Sequence, residues 1–417
     1  MNLLKLCLSS AFANFVQPVF TLFLPLVARG LGASVLEIGI VGGASSFVYA
    51  FMPFVMGRIS DKGNARRLLI VSSLALLSLV SVLYFFAASP PILIILRVLE
   101  GLGWAMFWPS MDSAVTHGTR MDPRRALSLF NLSWSSAAAL GPLAGSFVVV
   151  AFSIRDVFLF NAIILVSALF VYGVPRRIRN RTSMQVVGNN EEHRLEIIHS
   201  EEITASKDTN GGGESVEKIT QTSQARARIS PVFYILSVVL CTIATNTMAS
   251  FFSPYASVQG ISIIVIGAVS FTYGGFRFLG YLMTTSKRVR DFFFEPARRV
   301  RNVFLLLLVL ILSSLLMLIH NSTGLVYFLS FGLVGLSYSF VYFTAMIALL
   351  AEASRERMGA GAGVFEMSIG IGSFTGPVVA GVVSGNSLTI PFVVPFLSAI
   401  PITPVLYFLS RPKLEKP

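Results

Sequence analysis

The chain has 417 residues, 54% of them hydrophobic and 12% charged. Soluble domains carry about a quarter charged residues, so an ordinary water-soluble globule is excluded. A net charge of +12 would suit a nucleic-acid binder, but the basic residues sit beside hydrophobic runs, where anionic lipid headgroups attract them, and no nucleic-acid partner is expected.

In chain order the hydrophobic runs cover 6–28, 35–56, 69–88, 92–111, 126–152, 157–174, 232–253, 262–285, 303–319, 324–350, 359–383 and 390–409. A spanning helix needs about 20 predominantly apolar residues, so twelve crossings are predicted. With the two chain ends counted, 28 of the 32 Lys and Arg fall in every second gap between runs. Only Arg29 and Arg155 occupy the alternate gaps, while Arg97 and Arg277 lie inside runs. Short loops rich in Lys and Arg stay cytoplasmic. The expectation is an all-α, multi-pass plasma-membrane protein, embedded in the lipid bilayer, with both termini in the cytoplasm.

Between runs six and seven lies a polar stretch with Arg176, Arg177, Arg179 and Arg181, paired glutamates and the cluster Gly211-Gly212-Gly213. It has too little apolar area to offset ordering entropy, which predicts a flexible cytoplasmic linker over 175–230. The chain is thereby divided into helix bundles at 1–174 and 231–417. The halves repeat. Gly32, Ser34, Ile38 and Gly39 match Gly260, Ser262, Ile266 and Gly267 at an offset of 228. Gly101-Leu102 matches Gly335-Leu336 at 234, and Gly141-Pro142 with Gly145 matches Gly376-Pro377 with Gly381 at about 235. Internal repeats in transporters place a site at the interface of the halves, near the bilayer midplane.

The second gap reads Gly57-Arg-Ile-Ser-Asp61-Lys62-Gly63-Asn64-Ala-Arg66-Arg67. This resembles the loop between helices two and three of the major facilitator superfamily, except that the later Gly comes one place early and Asn64 takes its usual position. Arg97-Val-Leu-Glu100-Gly101-Leu-Gly103 resembles the family's fourth-helix pattern, with Glu where Gln is frequent. Gly141-Pro142-Leu-Ala-Gly145 resembles the core of the antiporter signature in helix five, although Ala137 and Ser146 stand where Gly is expected. The resemblance implies two pseudo-symmetric six-helix bundles that rock to expose a central cavity to each side in turn. It also implies that Gly57, Asp61, Lys62, Arg66 and Arg67 form a conformational latch. The plainer reading of that loop is a turn with a positive-inside anchor, which leaves Asp61 without a purpose.

Charges within spanning helices are costly and usually face a cavity or a partner. Arg97 and Glu100, three apart on one helical face, either neutralise each other or act together in proton coupling. Glu366 stands alone in run eleven. It is a second coupling candidate, since a carboxyl that alternates between dry and wet surroundings can bind and release protons; a hydrogen bond between helices is the alternative. Arg277, flanked by Tyr273 and Tyr281, is a candidate for contact with a substrate anion. Asn14, Gln17 and Thr21 form a polar stripe with Ser10 on the first helix, and Thr242, Asn246 and Ser253 form another on the seventh. Such stripes must face protein or water, so Asn14, Gln17, Thr21 and Asn246 are cavity candidates. Trp104, Trp108, Tyr338 and Tyr342 are candidates for an aromatic wall.

No Walker A sequence is present, Cys7 and Cys241 lie in separate runs, and the four histidines lack zinc spacing. Neither a metal, a cofactor nor enzymatic chemistry is expected. Gly359-Ala-Gly-Ala-Gly363 lacks the spacing of a dinucleotide loop. The function expected is secondary active transport of a small-molecule substrate by a monomer, proton-coupled, exporting organic or amphipathic compounds. Uptake of a sugar or organic anion is the alternative, and a non-transporting membrane sensor is the reading from a different class.

Overall fold

The computed structural model describes residues 3–60, 65–118, 123–173, 229–319, 324–351 and 358–411. In the first half the helices are α1 (Leu3–Gly30), α2 (Val35–Tyr49), α3 (Met52–Ser60), α4 (Ala65–Phe85), α5 (Pro90–Gly118), α6 (Pro123–Ala151) and α7 (Asp156–Gly173). In the second they are α8 (Pro231–Val258), α9 (Ile263–Thr285), α10 (Lys287–Phe294), α11 (Pro296–Leu316), α12 (Leu325–Ala351), α13 (Met358–Val383) and α14 (Val394–Leu409). Among the described residues no strand occurs, and twelve spans are long and apolar enough to cross a membrane. Their outward faces carry bare apolar side chains, among them Ile163, Phe170, Leu305, Val382 and Ile400. Such a continuous apolar coat needs lipid around it.

The runs read from sequence correspond to these spans with three refinements. Run two divides into α2 and α3 because Pro53 lacks an amide hydrogen and its ring collides with the carbonyl four residues back, that of Tyr49, the last residue of α2. Run twelve begins as a 3-10 turn, Ile390–Val393, before α14. The third refinement is α10, a short helix within a gap that composition alone presented as a basic loop. The expected linker lies outside the described residues except for Ile229 and Ser230, and so do Asp61 and Lys62 of the expected latch. Of the remaining latch residues, Gly57 sits in α3, 3.8 Å from Pro109 for an added Cβ. Arg66 and Arg67 open α4, where Arg67 donates to the Gly173 carbonyl at 3.4 Å.

The repeat is visible in the joints. Gly32 (φ 83°) ends the turn after α1 and Gly260 (φ 75°) ends the turn after α8, a left-handed conformation that glycine adopts without penalty. Ser34 then caps α2 and Ser262 caps α9 through the backbone N–H three residues on. Within the bundles, α6 packs on α1 as α13 packs on α8, and α5 packs on α2 as α12 packs on α9. Glycines make these approaches possible. A Cβ on Gly101 would fall on the Ser45 carbonyl and one on Gly335 on the Tyr273 carbonyl; Ser45 and Tyr273 are themselves 228 apart. A Cβ on Gly141 would fall on the Phe15 carbonyl, and one on Gly376 would lie 2.6 Å from that of Ile243, again 228 from its counterpart. The pairing of Gly145 with Gly381 does not survive. Gly145 packs inside its bundle against Phe23 and Val157, whereas Gly381, one residue out of register, packs across to Val35 and Leu36.

The bundles meet along α2 and α3 with α13, α6 with α9, and α1 with α8. Two of these crossings are images of each other. A Cβ on Gly39 would strike the Pro377 carbonyl, and one on Gly267 would lie 2.9 Å from the Pro142 carbonyl. Nearby, Ser253 donates to the Leu22 carbonyl at 2.7 Å and Arg29 donates to the Pro254 carbonyl at 2.7 Å. These contacts seal the end of the molecule that bears the α1–α2 and α8–α9 turns.

Candidate functional site

Arg97 and Glu100 are consumed by a buried network. The guanidinium gives Nη1 to both Glu100 oxygens at 2.7–2.8 Å, Nε to the Val41 carbonyl at 2.9 Å and Nη2 to the Gly42 carbonyl at 3.2 Å. Glu100 also accepts from the Tyr84 hydroxyl at 2.7 Å and from Trp104 Nε1 at 3.0 Å. Arg97 and Glu100 are 4% and 1% exposed, so water does not reach the carboxylate in this conformation. The pairing that the spacing allowed is present, and its network joins α2, α4 and α5. Trp104 belongs to this network and is 3% exposed.

Glu366 stands differently. Its Oε2 accepts a hydrogen bond of 2.6 Å from the hydroxyl of Tyr49, the last residue of α2. The carboxyl therefore belongs to one bundle and its partner to the other. Asp112 of α5 lies within electrostatic reach of Glu366, as do the phenols of Tyr281 and Tyr342. Neither Asp112 nor Tyr49 is among the candidates the sequence offers, because the juxtaposition depends on how the bundles meet.

Arg277 of α9 lies in a box of aromatic rings. Its guanidinium carbon is 5.0 Å from the Trp134 ring centre, 5.4 Å from Tyr273 and 5.8 Å from Tyr338, and Trp134 comes from the opposite bundle. Ring contacts continue from Trp108 to Trp134, from Trp134 to Tyr281, from Tyr281 to Tyr342 and from Tyr342 to Tyr338. The expected aromatic wall thus includes Trp108, Tyr338 and Tyr342, with Trp134 added. No charge or spacing had singled out Trp134.

The first polar stripe turns back on its own helix, whereas the second reaches a neighbouring one. Asn14 is buried and turns back on Ser10, donating to its carbonyl at 2.9 Å, and Thr21 donates to the Gln17 carbonyl at 3.2 Å. Asn246 donates to Ser373 Oγ of α13 at 2.9 Å, while Thr242 packs where Gly372 comes close. Gln17, Thr21 and Asn246 are half-buried, so they keep some access to the interior that Asn14 lacks.

The sequence profile of the Major Facilitator Superfamily matches residues 6–377. Over 146 residues the chain is 29% identical to a glycerol-3-phosphate transporter of Bacillus subtilis (strain 168), covering 34% of this chain and 33% of that protein. Over 161 residues it is 31% identical to a methyl viologen resistance protein of Salmonella typhimurium, covering 38% and 32%. Over 153 residues it is 31% identical to a multidrug efflux pump of Mycolicibacterium smegmatis, covering 36% and 30%. The matched part spans about a third of the length of each of these relatives. Among solved structures, a bacterial homolog of the human lysosomal transporter Spinster superposes with a TM-score of 0.70 at 15% identity, over 99% of this chain and 97% of that one. A nucleoside transporter superposes with a TM-score of 0.68 at 12% identity, over 98% and 100%. Twelve spans, two repeated bundles and a profile match running from the first span into the eleventh make this chain a membrane-spanning member of the Major Facilitator Superfamily.

Proposed function

We propose that this protein is a secondary active transporter that moves small organic compounds by alternating access and is driven by protons. One observation carries the proposal: the Glu366 carboxyl of the second bundle is hydrogen-bonded to Tyr49 of the first, with Asp112 of the first in electrostatic reach. Acidic groups on opposite bundles give a bound proton a mechanical consequence. Two charged carboxylates repel and favour separation of the bundles, and protonation of either removes that repulsion. Proton binding and bundle movement are then two descriptions of one equilibrium.

Export of organic or amphipathic compounds is the direction favoured by the partial helix-five pattern Gly141-Pro142-Gly145 and by likeness to the efflux pump and the methyl viologen resistance protein. A second direction, uptake of an organic anion or a sugar, draws support from Arg277 and from likeness to the glycerol-3-phosphate transporter. The setting we propose is the plasma membrane, with a monomer whose termini are cytoplasmic. In that orientation the sealed end faces outward.

The test uses proteoliposomes under an imposed pH gradient, with methyl viologen, sn-glycerol 3-phosphate and sulfoacetate as trial compounds. A compound that accumulates in the wild type is then assayed with Glu366→Gln, which keeps the shape and removes the titrating group. Gradient-driven accumulation is expected to disappear while exchange of the same compound across the membrane persists. Full accumulation by both Glu366→Gln and Asp112→Asn would end the proton-coupled reading.

A further inference from the structure

Arg277 has an unfilled requirement. A guanidinium within a spanning helix normally meets a carboxylate, and among the described residues the ion pair found inside the spans is that of Arg97 with Glu100. Cation–π contact with Trp134, Tyr273 and Tyr338 replaces part of the lost hydration. It does nothing for the N–H groups, which lie in the guanidinium plane and of which part is met by the Tyr273 hydroxyl. Nε of Arg277 is buried without a hydrogen-bond partner among the described residues, and so is the hydroxyl of Tyr281. Both side chains border the same ring, Trp134, which lies 5.0 Å from the guanidinium carbon and 5.8 Å from the Tyr281 ring centre.

Buried N–H and O–H donors left unmatched are costly, and a single acceptor group with several oxygens satisfies them together. A guanidinium also matches the planar fork of a carboxylate, or two oxygens of a phosphate or sulfonate, better than any neutral group. We infer that Arg277 and Tyr281, beside Trp134, form the binding site for a small organic anion. The charged end of the ligand is held by Arg277 and Tyr281, and its body lies along the aromatic wall toward Tyr342. This rests on the transporter reading and names the substrate class for it. The site draws on both bundles, since Trp134 is in α6 and the other residues are in α9 and α12. An anion bound there would therefore interact differently with each conformation, which is what a transported ligand requires.

The experiment is equilibrium binding to the purified full chain in lipid nanodiscs, followed by tryptophan fluorescence, with no gradient present. The probes are benzoate, phenyl phosphate and benzenesulfonate as anions, benzamide as the neutral match and benzylammonium as the cation. The anions are expected to quench fluorescence and to bind roughly tenfold or more tightly than benzamide, the ratio given by a charge-assisted hydrogen bond. Arg277→Gln is expected to lose that advantage, so that the anions bind no more tightly than benzamide. Tyr281→Phe should weaken anion binding by about fivefold, and it serves as the second variant where Arg277→Gln fails to fold. The inference is overturned if none of the probes binds, if benzylammonium binds as well as benzoate, or if either folded variant binds the anions with wild-type affinity. These measurements need no proton gradient, so loss of the coupling reading at Glu366 would leave their outcome untouched.

Discussion

Replacing Gly39 by alanine asks whether the sealed end is held by direct backbone contact. The added methyl would strike the carbonyl oxygen of Pro377 and lie 3.1 Å from Gly381 Cα. Both are backbone atoms of α13 and cannot rotate away as a side chain can. Overpacking of this kind costs about 1–3 kcal/mol. Alanine also favours helix over glycine by roughly 0.5–1 kcal/mol, but α2 is helical in every conformation of a rocking bundle, so that gain cancels from the ratio of states. The clash is present only while α2 and α13 touch, and the ratio of sealed to open molecules is expected to fall by about 5- to 160-fold. Pulsed EPR between spin labels at Gly30 and Gln259, which are exposed on the two turns at this end, reads the change after Cys7 and Cys241 are replaced. The longer-distance population should rise in Gly39→Ala. Gly275→Ala is the control, since an added Cβ there meets nothing within 4 Å. Distance distributions that do not differ between the two variants would refute the reasoning.

Other outcomes follow from the same geometry. Arg97→Gln strands a buried carboxylate and should lower stability by about 3–5 kcal/mol, whereas joint replacement of Arg97 and Glu100 by apolar residues should recover most of the loss; thermal unfolding of these two variants and of Glu100→Gln alone measures the coupling, and additive losses would contradict it. For the loop after α3, Asp61→Asn is expected to slow transport in proteoliposomes with expression and melting temperature nearly unchanged, and wild-type rates would leave only a membrane anchor there.

Much of the fold was legible because lipid imposes coarse rules. Length, hydropathy and the alternation of basic gaps specify twelve spans without any knowledge of packing. The repeat was legible chiefly around its glycines, and the structure explains why. At Gly101, Gly141 and Gly39 the opposing atom is a backbone carbonyl, so the partner's side chain is free to differ, as Ser45 and Tyr273 do. The break at Pro53 and the short helix α10 escaped a reading by window, since both lie within segments whose average character is unchanged. The candidate site was legible in its charged members and opaque in their roles. Arg97 and Glu100 share one helix, so their pairing is a local matter that the spacing already allowed. Glu366 and Arg277 take their meaning from Tyr49 and Trp134, which come from the opposite bundle. No periodicity within one helix carries that information.

The network around Arg97 also bears on how the protein is made. An arginine at the centre of a spanning helix opposes insertion by about 2.5–3.5 kcal/mol, and an acid at the same depth adds to the difficulty. Glu100 lies one turn further along the same helix, so the charges can neutralise each other as α5 leaves the insertion machinery. Tyr84, Val41 and Gly42, the other groups bonded to the pair, belong to α4 and α2, which emerge from the ribosome earlier. Every hydrogen bond this pair makes is thus available by the time Trp104 is translated. At the positions 234 residues later stand Phe331 and Val334, which insert with no such demand. The first half of the chain can close its most costly element before the second half exists.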